Sequence, residues 1–94
     1  MSGRTTRVID LHLKPGHGNT DAIERQLARF RGELDSAIRA GEKEIVFIHG
    51  VGSGILKEKL RYIVEKDYPS CSYHDAPFNI YGVGGATVVT IKKK

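Results

Sequence analysis

Residues 44–57 read Glu-Ile-Val-Phe-Ile-His-Gly-Val-Gly-Ser-Gly-Ile-Leu-Lys, and this stretch decides the fold. Glu44 to Ile48 is a short aliphatic and aromatic run, bounded by Gly41 before it and His49-Gly50 after it. That pattern predicts a strand buried on both faces, with His49 delivered at its carboxyl end. Glycines at 50, 52 and 54 turn the chain into a loop, and Leu56, Leu60, Ile63 and Val64 then recur at intervals of three and four. The spacing predicts an amphipathic helix that ends near Asp67, before Pro69, with Ser53 as its cap.

Upstream, Val8 to Leu13 alternate, Ile9, Leu11 and Leu13 pointing one way and Val8, Asp10 and His12 the other, which predicts a strand. The run Lys14-Pro15-Gly16-His17-Gly18-Asn19-Thr20 is a loop, because it combines a helix breaker, two glycines and two cap formers. A first helix follows, opened by Thr20 or by an Asp21/Glu24 capping pattern, striped by Ile23, Leu27, Phe30, Leu34 and Ile38, and stopped by Gly41 after about Ala40. Downstream, Cys71 to Asp75 and Ala86 to Ile91 read as two further strands, separated by a Pro, Asn and Gly segment.

The order βαβαββ with right-handed crossovers predicts a two-layer α/β sandwich: a mixed four-stranded sheet, both helices on one face and the other face partly open. With 94 residues there is room for one domain. We expect it to span 8–91, after a flexible or linker-like segment 1–7 and before a basic tail 92–94. No apolar run approaches the roughly 20 residues of a membrane span, and residues 1–7 hold no apolar signal region, so cytoplasm is the expected compartment. Cys71 is the single cysteine, which excludes an internal disulfide or a zinc site of several thiolates. The net charge is +4, but most of that surplus is Lys92, Lys93 and Lys94, so charge alone is a weak argument for a nucleic-acid partner. Arg4, Arg7 and Lys14 are expected to share a surface with that tail if any basic patch exists.

Ligands in open α/β sheets sit beyond the carboxyl ends of the strands. Two such ends carry polar residues here, Asp10-Leu11-His12 and His49-Gly50. Asp10 and His12 project from one side of their strand, roughly 6.6 Å apart at Cα, so a carboxylate can orient an imidazole that exchanges protons near neutral pH. Hydrogen-bond caps at a strand end would use the same residues. The loop Gly50 to Gly54, leading into a helix, suits a phosphate, with Gly50, Gly52, Ser53, Gly54 and Lys57 as candidate contacts and Lys14 as a further cation. Two common nucleotide frames fail: Ile55 stands where G-x-G-x-x-G needs its last glycine, and Ile55-Leu56 where a Walker motif needs Gly-Lys. No cofactor is implied, although Asp10, His12 and His49 could together form a two-histidine, one-carboxylate site for a divalent metal. His17, His74 and Asp75 read as ordinary polar positions, and the aromatic residues are too scattered for a base-stacking platform.

Val8-Ile9-Asp10-Leu11-His12, then His49-Gly50-Val51-Gly52-Ser53-Gly54-Ile55-Leu56-Lys57, then Gly85-Ala86-Thr87-Val88-Val89, in this order, resemble the small MutS-related (Smr) domain family over almost the whole chain. The pattern is similar in particular to the C-terminal Smr domain of longer Bacteroidetes proteins. The resemblance implies a fold similar to the C-terminal domain of bacterial translation initiation factor three, and nucleic acid as partner. Family members include endonucleases that nick branched DNA and nucleases that cut messenger RNA at collided ribosomes. Their first-strand Asp and His, essential in some, match Asp10 and His12. Their glycine motif matches His49, Gly50, Gly52, Gly54 and Lys57. The family often continues Asp-Leu-His with Gly, whereas this chain has Leu13 and the longer 14–19 loop, which alters the approach to the site.

Three functions follow as expectations. In a phosphodiesterase, His12 and His49 exchange protons, Asp10 orients an imidazole and the glycine loop with Lys57 holds the phosphate. In a binding module, the same residues grip phosphates of RNA, DNA or a ribosome without cutting. In a protein-contact module, Asp10 and His12 are structural caps.

Overall fold

A computed structural model of the 94-residue chain describes residues 6–11, 20–50, 54–81 and 85–92. Strand β2 (Glu44–Ile48) lies inside the sheet, with Ile45 and Phe47 facing one side, Val46 the other, and all three buried. It pairs in parallel with β1 (Arg7–Asp10), Asp10 opposite Ile48, and antiparallel with β4 (Ala86–Ile91), Ile48 opposite Ala86. The edge strand β3 (Cys71–Asp75) pairs antiparallel with β4, Asp75 opposite Thr87. The sheet order is β1-β2-β4-β3. Strands β1, β2 and β3 therefore run one way, and their carboxyl ends meet the start of β4 at one end of the sheet.

Helices α1 (Thr20–Arg39) and α2 (Ile55–Asp67) both cover the face that carries Ile9, Ile45, Phe47, Val89 and Ile91. Phe30 of α1 meets Phe47 edge to face, centroids 4.7 Å apart, and Leu34, Leu60 and Val64 close the same core. The two helices are also linked at their surfaces by an Arg31–Asp67 ion pair of 3.0 Å and a hydrogen bond of 2.8 Å from the Tyr68 hydroxyl to Asp35. Burial and that carboxylate push the Tyr68 pKa up to about 12.

Gly41 ends α1 as expected. Its φ of 77° is left-handed, its N–H donates to the Ile38 carbonyl, and the Glu42 N–H donates to Ala37, the paired bonds of a Schellman stop. The start of α1 coincides with Thr20, while the capping pattern involves side chains 20 and 21, outside the described ones. The Pro, Asn and Gly segment after β3, to which the expected βαβαββ order gave no element, contains a one-turn helix, α3 (Phe78–Tyr81). Pro77 directly precedes it with a φ already set for a helical turn, and its carbonyl accepts from the Ile80 N–H.

Val46, Ala76, Ala86 and Val88 form a smaller apolar cluster on the other face, bordered by Ile48. The expected openness of this face is confined to its margins, where Val8 and His74 are exposed.

The first strand begins one residue earlier than the alternating pattern suggested. Arg7 pairs with Ile45, and its guanidinium binds Glu33 and Glu42 at 3.1 and 2.8 Å. Lys92 follows β4 at this same end. The described basic residues of the two termini therefore lie at the end of the sheet opposite His49, and Arg7 is engaged by carboxylates of the chain itself.

Candidate functional site

The end of the sheet where β1, β2 and β3 finish gathers Asp10, His49, Asp75 and Thr87. Side chains alternate along a strand, so Thr87 shares the helix-covered face with Phe47 and Val89. Asp75, directly opposite Thr87, shares that face as well. Arg61 and Lys57, one turn apart on α2, reach over these two residues.

The contacts form a chain. The Arg61 Nη2 atom donates to Asp75 Oδ1 at 2.6 Å and to the Thr87 hydroxyl oxygen at 2.8 Å, and Arg61 Nε donates to the same hydroxyl at 3.1 Å. Thr87 Oγ1 lies 2.8 Å from His49 Nε2, and His49 Nδ1 lies 3.1 Å from the Gly50 carbonyl oxygen. Lys57 Nζ is 3.5 Å from the same Asp75 oxygen. The Arg61 guanidinium also lies 4.9 Å over the Tyr73 ring, whose hydroxyl donates to Glu65.

Electrostatics follow from these positions. Burial lowers the His49 pKa; the Gly50 carbonyl raises it, Lys57 and Arg61 lower it further, and Asp75 opposes them. His49 is therefore neutral at neutral pH. The Arg61 hydrogen bond, aided by the Lys57 charge, holds the exposed Asp75 carboxyl below its ordinary range.

The glycine loop is described at its two ends. Gly50 has φ 81°, and the N–H groups of His49 and Gly50 both donate to the Gly85 carbonyl, at 3.1 and 3.0 Å. The first amide of the loop is thus held inside the protein rather than presented outward. Gly54 has φ 85° and stands at the N-cap of α2, with no side-chain cap bond. This corrects the expectation that Ser53 caps the helix: the capping position falls one residue later, on a glycine, because the chain enters α2 through a left-handed residue. A Cβ at Gly54 would meet nothing within 4 Å, so the backbone angle, not crowding, calls for glycine there.

Asp10 closes β1 on the face opposite Thr87 and two strands away, roughly 10 Å by strand spacing. Its own carbonyl accepts from Arg29 at 3.1 Å, and Gln26 donates to the Leu11 carbonyl at 2.6 Å, so α1 secures the end of this strand. His12, Lys14, Gly52 and Ser53 lie outside the described residues. So does the proposed Asp10–His12–His49 metal triad as a set; among the described residues, no three His, Cys, Asp or Glu side chains are grouped to hold a metal. No helix among the described residues is long and apolar enough to cross a membrane.

Reading the sequence missed Arg61, Thr87 and Asp75 as members of this site. The i, i+4 spacing of Lys57 and Arg61 puts both on one helix face and was available as a signal. Pairing Asp75 with Thr87 required the register of β3 on β4.

The Smr domain family model matches residues 9–92. The Lactococcus lactis subsp. cremoris (strain MG1363) protein named endonuclease MutS2 is 34% identical over 59 residues, 63% of this chain and 8% of that protein. The Clostridioides difficile (strain 630) endonuclease MutS2 is 33% identical over 72 residues, 77% of this chain and 9% of that protein. The chain thus spans less than a tenth of the length of these relatives. The crystal structure of the Smr domain of Thermus thermophilus MutS2 superposes with a TM-score of 0.76 at 26% identity, covering 94% of this chain and 100% of that one. With a family match across nearly all of its length and a solved Smr domain of the same fold, the chain belongs to the Smr domain family.

Proposed function

We propose that this Smr domain binds nucleic acid at the end of the sheet where β1 and β2 finish and α2 begins, and that it cuts a phosphodiester there. The observation that carries the reading is the placement of two cations, Lys57 and Arg61, beside His49 and the left-handed glycines 50 and 54, at the ligand-binding end of an α/β sheet. The name endonuclease borne by the MutS2 relatives supports the chemistry.

On RNA the nucleophile is the substrate's own 2′-hydroxyl. A base removes its proton, the 2′-oxygen bonds to phosphorus, and the bond from phosphorus to the 5′-oxygen breaks as that oxygen takes up a proton. His12, oriented by Asp10, is the candidate base, and the glycine loop with Lys57 is the candidate holder of the phosphate. On branched DNA, which lacks that hydroxyl, water is the nucleophile, and a divalent metal held in part by Asp10 would activate it.

The test is strand cleavage of end-labelled single-stranded RNA, branched DNA and supercoiled plasmid, with and without EDTA, by the chain and by His12→Ala, whose fold is verified by circular dichroism. Cleavage of one substrate and its loss in the folded variant are expected. Chelator-resistant cutting confined to RNA identifies the metal-free route.

Binding without cleavage is favoured as a second reading by one observation: both ring nitrogens of His49 already have partners within the protein. In that case no substrate is cut, affinity falls with salt, and Lys57→Ala lowers the slope of log K against log salt by about 0.7 to 0.9. Ribosome association would place the same surface on ribosomal RNA.

A further inference from the structure

We infer that His49 is a positioning residue: its imidazole, fixed between the Gly50 carbonyl and a Thr87 hydroxyl that Arg61 holds in place, anchors the start of the glycine loop and exchanges no proton with substrate. This deepens the phosphodiesterase reading and rests on it for the substrate.

The donors and acceptors around the ring fix its tautomer. A carbonyl oxygen only accepts, so the 3.1 Å contact between Nδ1 and the Gly50 oxygen requires the proton on Nδ1. In the neutral ring Nε2 then carries a lone pair and needs a donor. Thr87 supplies it at 2.8 Å, because its oxygen already receives the Arg61 Nε and Nη2 hydrogens and its own hydrogen is left to give. Arg61 is in turn held by Asp75 at 2.6 Å. Each group has one consistent role, running from Asp75 through Arg61 and Thr87 to His49 and Gly50.

Protonating His49 would break this order. Nε2–H would become a third donor aimed at Thr87 Oγ1, and the Thr87 hydrogen would lose its acceptor in a buried setting, where His49 is 7% and Thr87 0% exposed. The charged groups that face the ring from α2 are Lys57 and Arg61, both cations, and Asp75 on β3 supplies the opposing charge. Neither nitrogen keeps a lone pair free for a cation. The ring instead holds the Gly50 carbonyl, while the Gly50 N–H is held by Gly85. Both backbone groups of the first loop glycine are thereby fixed, and proton exchange with RNA falls to His12.

The experiment is a long-range proton–nitrogen NMR correlation of the 15N-labelled chain at neutral pH, with His49 assigned by the loss of its signals in His49→Gln. The expected spectrum shows Nδ1 at the shift of a protonated nitrogen and Nε2 at that of an unprotonated one. Thr87→Ser retains both shifts, and in Thr87→Val the Nε2 signal moves to that of an acceptor without a donor. Saturation with a 2′-O-methyl RNA, which cannot be cut by its own 2′-oxygen, leaves the tautomer unchanged. A proton on Nε2 in the free chain, an imidazolium in either state, or an Nε2 shift that Thr87→Val does not move overturns the inference. Failure to bind the RNA overturns the proposed function instead, and the spectrum of the free chain still decides the role of His49.

Discussion

At the scale of single residues, the decisive fact is that a histidine in a catalytic-looking motif is buried and neutral. Its pKa lies below the ordinary 6.5 because burial disfavours the charged ring. The unfolded chain therefore takes up a proton at a pH where the native His49 does not. It follows that the contribution of His49 to stability is fully present above about 6.5 and is lost as pH falls through the lowered native value. Asp75, whose native pKa is also lowered, adds a second decline below its ordinary value of 3.8. Urea midpoints measured from pH 7 downward are expected to fall on entering the range below 6.5, and His49→Gln is expected to flatten that part of the profile. A midpoint that is constant down to pH 5 in the parent chain contradicts the lowered pKa.

At the scale of elements, the two left-handed glycines around the helices do different work. Gly41 closes α1 by letting two N–H groups return to Ile38 and Ala37, and a side chain there would meet the steric cost of a positive φ. Gly41→Ala is expected to destabilise the fold by about 1 to 2 kcal/mol in chemical denaturation. Gly54 opens α2 beside the site, with Lys57 in the first turn. A cation there opposes the helix dipole, and the Asp75 carboxylate at 3.5 Å answers its charge. The elements themselves were legible in the sequence: β2, β3 and β4 fall where alternation and aliphatic runs put them, and α1 ends at its glycine. The short α3 was not legible, because one turn is too brief to show a helical period.

Across the whole molecule, one large core between helices and sheet and one small cluster beneath it hold β2 from both sides. Phe47 sits at the centre of the large core, fully buried against Phe30. Phe47→Ala is expected to cost about 3 to 5 kcal/mol, read as a lower urea midpoint, a large part of the roughly 5 to 15 kcal/mol that stabilises a typical domain. The charge distribution also belongs to this scale. Arg7 and Lys92 lie at the end of the sheet away from His49, so the net charge of +4 says less about the site than Lys57 and Arg61 do.

The sequence by itself determined the order of the four strands and the two long helices, the mixed two-layer architecture and the family, because these follow from local periodicity and from motifs contiguous along the chain. It also named His49 and Lys57, which stand next to the glycines that mark the loop. Only the tertiary structure decided what His49 touches. Thr87 and Arg61 lie 38 and 26 positions apart from their partners in this network, His49 and Thr87 respectively, and Asp75 meets Thr87 only through the register of β3 on β4. Hydrogen-bond direction, and with it the protonation of a buried ring, depends on neighbours that pairing across a sheet supplies and that no pattern along the chain records.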